Sequence, residues 1–186
     1  AAVFSSKTGT IPGEEGANSV AVTVTNERNT GSLSVEKIVK GTGAQTEKVF
    51  TFTLQLTNAK GAKLEGSYEA DINGTDTTVA VDASGKATFT LKGGEQKVLT
   101  GIPADTKYTV SEQDYTAEGY VTDIPTNAEG TITEDGNPIV TFKNTRNVGG
   151  LTVSKTVDGN DFDANKAFDI TVTLTAPANV NLVGSY

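Results

Sequence analysis

The stretch LSVEKIVKG, residues 33–41, has the composition of a β-strand that ends in a turn. Its leucine and β-branched residues favour an extended chain, and Gly41 favours a turn after it. Side chains on a strand alternate between two faces, so Lys37 falls on the same face as Leu33 and Val35. Because an unpaired lysine is almost never buried, Lys37 predicts either a different register or an unusual partner inside the fold.

The composition excludes several classes of enzyme. Among 186 residues, 35% are hydrophobic and 20% are charged, which is ordinary for a globular chain of one or two domains, but there is no His, Cys, Met or Trp. A Ser-His-Asp triad, a cysteine nucleophile, a disulfide and a zinc site built from His or Cys are therefore all excluded. We expect neither a turnover enzyme nor a metal or cofactor.

The charge of the chain argues against two kinds of partner. The formal net charge is −8, which would repel both nucleic acid and an anionic membrane surface. No apolar run approaches the ~20 residues that span a bilayer, and no signal-type segment opens the chain. We expect a piece of a longer protein that binds neither nucleic acid nor membrane.

The sequence repeats itself with an offset of 118 residues. Four pairs of segments share this offset: GSLSVEKIV (31–39) with GGLTVSKTV (149–157), VFTFTLQLT (49–57) with AFDITVTLT (167–175), LEGSY (64–68) with LVGSY (182–186), and VTVTNERN (22–29) with VTFKNTRN (140–147). A fixed period of this kind is the signature of a repeat architecture. The chain is therefore expected to hold the end of one repeat (1–30), a complete repeat (31–147) and the beginning of the next (148–186).

The complete repeat reads as an all-β unit. Short segments rich in Thr and Val alternate in polarity, and turn sequences such as NGTD and KGGE separate them. The predicted strands are 33–40, 49–57, 77–82, 86–92, 96–100, 106–113 and 138–144. Turns at this spacing favour an Ig-like β-sandwich, and no segment sustains the period of a helix.

Two further strands carry a polar residue where their inward face continues. In YTVSE the face of Val110 continues to Glu112, and in VTFKN the face of Phe142 continues to Asn144. Each residue alone is more simply explained as a strand-end group that reaches solvent. Together with Lys37, however, they place an amine, a carboxyl and a carboxamide on the inward faces of three strands.

These three groups fit an amide exchange in which the Lys37 amine attacks the Asn144 carboxamide and expels ammonia. Burial lowers the pKa of a lysine and raises that of a carboxyl, because a core of low dielectric disfavours charge. The amine is then a nucleophile, and protonated Glu112 can polarise the Asn144 carbonyl and pass protons to the departing ammonia. The reaction needs no cofactor.

The segments LSVEKIVKG, YTVSEQ and VTFKNTR resemble the Lys, Glu and Asn signatures of the Cna protein B-type and streptococcal pilin isopeptide-linkage domains of Gram-positive surface proteins. The resemblance covers residues 31–147 and both flanks. It implies that Lys37 bonds Asn144, with Glu112 as the catalyst of a single turnover.

The 118-residue offset extends this expectation to the flanks. It maps Asn26 onto Asn144 and Lys155 onto Lys37, so these two residues are expected to bond partners outside this chain.

The function expected from these features is structural. The chain is predicted to be a stalk or fibre segment on the cell surface or cell wall of a Gram-positive bacterium, with neighbouring repeats, other fibre subunits or a host ligand as partners. The alternative is an adhesin module whose loops bind a host protein or glycan, since loops on a rigid sandwich often carry binding. An aromatic content of 6% is low for a binding surface and ranks this alternative second.

Overall fold

The structure, a computed structural model, describes residues 2–4, 24–161, 163, 165–178 and 180. Within these residues the chain forms strands and one short 3₁₀ helix, Thr116–Glu118. The strands are β1 (Ala2–Phe4), β2 (Val24–Asn26), β3 (Thr30–Lys40), β4 (Phe50–Thr57), β5 (Gly66–Ile72), β6 (Thr75–Val81), β7 (Lys86–Leu91), β8 (Gln96–Pro103), β9 (Lys107–Glu112), β10 (Val121–Thr122), β11 (Glu129–Thr131) and β12 (Ile139–Thr145). No helix in the described part is long and apolar enough to cross a membrane.

Strands β3 to β12 form a sandwich of two sheets. One sheet has the order β10-β12-β3-β8-β5-β6 and the other the order β11-β9-β4-β7, while β1 and β2 pair separately. The predicted all-β sandwich is confirmed. Each sheet contributes its inward side chains to one shared core, as two-layer β folds require.

The first and last strands of the sandwich, β3 and β12, lie side by side and run parallel. Val35 stands opposite Val140 and Lys37 opposite Phe142, and the register holds to the pair of Lys40 and Thr145. Because the two strands point the same way, the sandwich begins at one end and finishes at the other.

The core follows the alternation read from the sequence. Along β4 the apolar residues Phe50, Phe52, Leu54 and Leu56 are fully buried, and the Thr and Gln residues between them are half-buried. Burying one such side chain stabilises the fold by about 1.5–3 kcal/mol. This pattern fixes which residues of every strand face inward, the polar ones included.

The sequence does not predict strand β5, the short strands β1, β10 and β11, or the 3₁₀ helix. In β5, Glu69 and Asp71 belong to residue types that are rare in strands, but only Tyr68 and Ala70 face the core. The signal lay in the NGTD turn, where Asn73 and the following glycine have φ of 50° and 87° and close the hairpin between β5 and β6.

The residues after Val148 contrast with their repeat counterparts in the sandwich. They carry no strand within the described part of the chain. Six fully buried core residues have counterparts at the 118-residue offset that are 43% to 67% exposed; the core set is Leu33, Val35, Phe50, Phe52, Leu54 and Leu56, and the exposed set is Leu151, Val153, Phe168, Ile170, Val172 and Leu174. This segment has the inward pattern of the sandwich without a core to bury it.

Gly31 provides a test of how closely the sandwich is packed. A Cβ at this position would lie 2.3 Å from the Thr133 carbonyl oxygen and 2.9 Å from that of Gly136. Gly31→Ala should therefore lower the free energy of unfolding by about 1–3 kcal/mol, as overpacking does, measured by urea unfolding. Gly149→Ala is the matched control, because Gly149 holds the same repeat position and a Cβ there would meet nothing within 4 Å. Equal losses in the two variants would contradict the close packing.

Candidate functional site

Three strands bring Lys37, Glu112 and Asn144 together in the core. Lys37 on β3 and Asn144 on β12 belong to neighbouring strands of one sheet, and Glu112 ends β9 in the facing sheet. Lys37 and Asn144 are fully buried, and the Glu112 side chain is 3% exposed. The register predicted for all three strands is thus correct, and the inward-facing lysine has a partner.

One oxygen of Glu112 contacts both other residues. Lys37 Nζ lies 2.6 Å from Glu112 Oε1, and Asn144 Nδ2 donates a hydrogen bond of 3.2 Å to the same oxygen. The lysine contact does not have the geometry of a well-directed hydrogen bond. Its attraction is that of two opposite charges if both groups are ionised, and that of two dipoles if both are neutral. Glu112 therefore bridges the amine and the carboxamide.

The remaining polar atoms of the cluster are buried without hydrogen-bond partners. Glu112 Oε2 and Asn144 Oδ1 both lack one. Leaving a buried polar atom unsatisfied costs about 1–3 kcal/mol. If Glu112 carried a proton, its carboxyl could donate a hydrogen bond to the Asn144 carbonyl oxygen, which has no donor.

Aromatic rings form the apolar surroundings of the cluster. Lys37 Nζ lies 4.3 Å from the centroid of the Phe50 ring, and Phe142 stands opposite Lys37 in the β3–β12 register. Phe52 stands opposite Glu112, and its ring centroid is 5.2 Å from that of Phe142. The inward parity of a strand does not show which polar group a ring faces, so the sequence does not predict these contacts.

Burial shifts both ionisable groups towards their neutral forms. Desolvation lowers the pKa of Lys37, although the contact with Glu112 opposes this shift. Desolvation likewise raises the pKa of Glu112, opposed by Lys37 and Asn144. Both shifts are towards the neutral amine and the protonated carboxyl, the two states that a nucleophile and a general acid need.

Lys97 shows that burial alone does not define the site. This lysine on β8 is only 5% exposed, desolvation lowers its pKa, and its Nζ lies 5.3 Å from the centroid of the Phe89 ring. Among the described residues it forms no ion pair. Lys37 differs because a carboxyl and a carboxamide accompany it.

The two repeat-equivalent residues lie apart from this cluster. Asn26 is exposed on β2. Lys155 is also exposed, and its Nζ donates a hydrogen bond of 2.6 Å to the Thr156 carbonyl. Lys155 Nζ lies 4.7 Å from the Phe168 ring centroid, which repeats the pairing of Lys37 with Phe50 at the 118-residue offset.

A groove opens beside Glu112 at the edge of the two sheets. Its volume is 330 Å³, and Val110, Glu112, Thr122, Pro125 and Phe142 are among its lining residues. Glu112 borders the groove, while its side chain is only 3% exposed. The described residues contain no group of three or more His, Cys, Asp or Glu side chains that could hold a metal ion.

The protonation of the site can be measured in an Asn144→Ala variant, which keeps the amine and carboxyl but removes the carboxamide. Because burial raises the pKa of Glu112, its carboxyl should titrate above the ordinary value of 4.5 when followed by ¹³C NMR. The stability that this proton contributes is present below pH 4.5 and is lost as the pH rises through the folded-state pKa.

Lys37 contributes to the pH dependence of folding stability with the opposite sign. Its folded-state pKa is lowered, so its contribution is present above the unfolded value of 10.5 and is lost as the pH falls through the folded-state pKa. Adding Glu112→Gln to the same variant should remove the part of the pH dependence that Glu112 contributes. A Glu112 carboxyl that titrates at or below 4.5 would show that the lysine contact outweighs burial.

The sandwich is similar in sequence and in fold to streptococcal pilus proteins. The chain is 37% identical over 83 residues to the pilus tip adhesin Cpa of Streptococcus pyogenes, covering 45% of this chain and 12% of the adhesin. It is 32% identical over 118 residues to a pilin of Streptococcus pyogenes serotype M1, covering 61% of this chain and 35% of the pilin. The chain thus spans about a third or less of the length of these curated relatives.

A solved structure of the pilus-presented adhesin Cpa matches with a TM-score of 0.54 at 28% identity, over 64% of this chain and 28% of the adhesin chain. The family model described as "Domain of unknown function (DUF7601)" matches residues 31–146 and again residues 149–186. Since these two matches span most of the sequence, the chain belongs to the DUF7601 family.

Proposed function

We propose that the chain is a structural segment of a Gram-positive surface fibre or pilus, in which each sandwich locks itself by an isopeptide bond between a lysine and an asparagine. The observation that carries the proposal is the contact of the Lys37 amine and the Asn144 carboxamide with one oxygen of Glu112, inside an apolar core. A binding site for a small ligand would not need a buried nucleophile beside an amide.

The proposed reaction balances without an added reagent. The neutral Lys37 amine attacks Cγ of Asn144, so a bond forms between Nζ and Cγ and the bond from Cγ to Nδ2 breaks. Glu112 donates its proton to the carboxamide and takes one from the attacking amine. The products are a secondary amide and one molecule of ammonia, and Glu112 regains its initial state.

The fold supplies most of what the reaction needs. Groups that are held in contact can react with effective molarities of roughly 10⁵ M or more. The bond also removes a buried ionisable amine, whose desolvation opposes folding. The groove beside Glu112 provides a path for ammonia to leave.

The position of the bond suits a protein under tension. Force that enters at Thr30 would pass along β3 to Lys37, cross the bond to Asn144 and leave at Thr145. The residues between 37 and 144 would lie outside this covalent path. Closing a loop of that length also stabilises the fold by about 4–5 kcal/mol in the chain-entropy description of cross-links.

Two findings support a tandem array. The family model matches the chain in two successive segments, residues 31–146 and 149–186. The exposed apolar residues after Val148 repeat the core pattern of the sandwich. The relatives are a pilin and a pilus tip adhesin, which supports a surface location and assembly with other fibre subunits.

The match to a pilus tip adhesin also favours a second candidate, a module that binds a host protein or glycan. In that case the cross-link would serve as a scaffold for the loops. The isopeptide bond is common to both candidates, so the mass measurement below tests the site and not the choice between them.

The bond predicts a mass lower than that of the sequence by one ammonia. The purified 186-residue chain should show this deficit by intact mass spectrometry, and tandem spectrometry of a digest should yield one branched peptide that joins Lys37 to Asn144. Lys37→Ala and Asn144→Ala are the controls and should have their full sequence masses. An unshifted mass in the folded wild-type chain would refute the cross-link.

Glu112→Ala separates catalysis from folding within the same measurement. The variant should fold, because the backbone of β9 needs nothing from that carboxyl, but it should keep its full mass, unfold at lower temperature and become sensitive to trypsin. If Glu112→Ala still loses ammonia completely, another acid is the catalyst.

The array model predicts one bond per repeat. In a longer piece of the parent chain, Asn26 should be joined to a lysine upstream and Lys155 to an asparagine downstream, since the 118-residue offset maps them onto Asn144 and Lys37. Tandem mass spectrometry should find branched peptides that contain each residue. If only the peptide joining Lys37 to Asn144 is found, the model of one bond per repeat is wrong.

A further inference from the structure

The segment that leaves the sandwich is held by the loop that follows β3. Thr42 contacts it three times: its N–H donates to Asn147 Oδ1 at 3.2 Å, and its hydroxyl accepts from the Val148 N–H at 2.9 Å and donates to the Val148 carbonyl at 3.0 Å. Residues 146–148, which we term the joint, come directly after β12. Two of its three residues are therefore tied to one threonine.

Arg146, the first residue of the joint, is held through both its backbone and its side chain. Its N–H donates to the Lys40 carbonyl and its carbonyl accepts from the Gly43 N–H, each at 2.9 Å. Its guanidinium donates from Nε to the Glu118 carbonyl and from Nη1 to the Gly43 carbonyl, each at 3.1 Å. The end of the sandwich therefore fixes the direction in which the chain departs.

The loop packs against the joint so closely that glycine is required in it. A Cβ on Gly41 would lie 2.1 Å from the Arg146 carbonyl oxygen, and one on Gly43 would lie 2.5 Å from Val148 Cγ1. Gly41 also has a φ of 102°, which L side chains rarely adopt. The loop can pack this closely against the joint because Gly41 and Gly43 have no side chains.

The opposite end of the sandwich holds the equivalent residue of the preceding joint. Asn29 stands 118 residues before Asn147, and its backbone carbonyl accepts a hydrogen bond of 2.9 Å from the Ala104 N–H. At the other end it is the side-chain oxygen of Asn147 that binds Thr42. Because the two contacts use different oxygens, one asparagine can bind both sandwiches between which it lies.

We propose that successive sandwiches of the parent chain are connected by a rigid joint, residues 146–148, clamped by Thr42 of the preceding sandwich and by the counterpart of Ala104 in the following one. This inference rests on the repeat organisation proposed above and adds that neighbouring repeats bind each other through their connection. Gly149 and Gly150 do not act as a hinge in such an array, since Gly149 is the counterpart of Gly31 inside strand β3.

A clamped joint has a consequence for the fibre. Domains joined by flexible linkers reorient freely, and relative motion is the usual expectation for neighbouring domains. Here the described contacts leave no free residue between the end of β12 and the next repeat, which begins at the counterpart of Thr30. Covalent locking within each sandwich and fixed geometry between sandwiches would together give a stiff rod.

The joint can be tested in the 186-residue chain, which contains the Thr42 contacts with residues 147–148 at one end of the sandwich and the Ala104 contact with Asn29 at the other. Backbone ¹⁵N relaxation should give residues 146–148 order parameters of about 0.85, like those of the strands, and the Val148 and Ala104 amides should be protected from hydrogen exchange. Thr42→Val removes the hydroxyl and should lower the order parameters of Asn147 and Val148 below about 0.6, while strand residues are unchanged.

Two variants control for the loop itself. Thr42→Ser keeps the hydroxyl and should retain a rigid joint, and Thr46→Val alters an exposed threonine of the same loop whose side chain forms no described hydrogen bond. Order parameters below about 0.6 at 146–148 in the wild-type chain, or no change in Thr42→Val, would overturn the proposal. Intact mass on the same samples keeps the outcomes apart, because a flexible joint in a chain that has lost ammonia refutes the joint and not the cross-link.

Discussion

The contact between Lys37 and Glu112 is the constraint on which the rest of the structure depends. Burying an unpaired ammonium or carboxylate costs several kcal/mol even after the protein relaxes. In this fold Lys37 is fully buried in the core but lies 2.6 Å from the Glu112 carboxyl, so their contact offsets part of the cost of desolvating both groups. In the proposed reaction, conversion of the amine to an amide would remove the buried ionisable amine and with it this desolvation cost.

The topology explains why the buried lysine and asparagine lie on these two strands. The first and last strands of the sandwich are parallel neighbours, which places the beginning and end of the unit at opposite ends of the two-sheet stack. A bond between them spans the unit with few residues in the path of force. The hydrogen bonds of Thr42 to residues 147–148 have a matching effect beyond the sandwich. They hold the connection to the next repeat, and one sandwich can fix the orientation of the next only if that connection is rigid.

The sequence predicted much of this arrangement because strand parity is a strict constraint. Placing Lys37, Glu112 and Asn144 inward needed only the period of two and the neighbouring apolar residues. The strand of Tyr68 was not predicted because Glu69 and Asp71 belong to residue types that are depleted in strands. The rings around the amine, Phe50 among them, and the contacts of Thr42 depend on how distant segments meet, which no local pattern encodes.

The most direct test of the central claim is a crystal structure of the chain at a resolution that shows individual bonds. The account predicts continuous electron density from Lys37 Nζ to Asn144 Cγ, with a planar amide whose C–N bond is about 1.33 Å long and with Glu112 hydrogen-bonded to it. Separate density for an intact carboxamide and a free amine, at van der Waals distance, would contradict it.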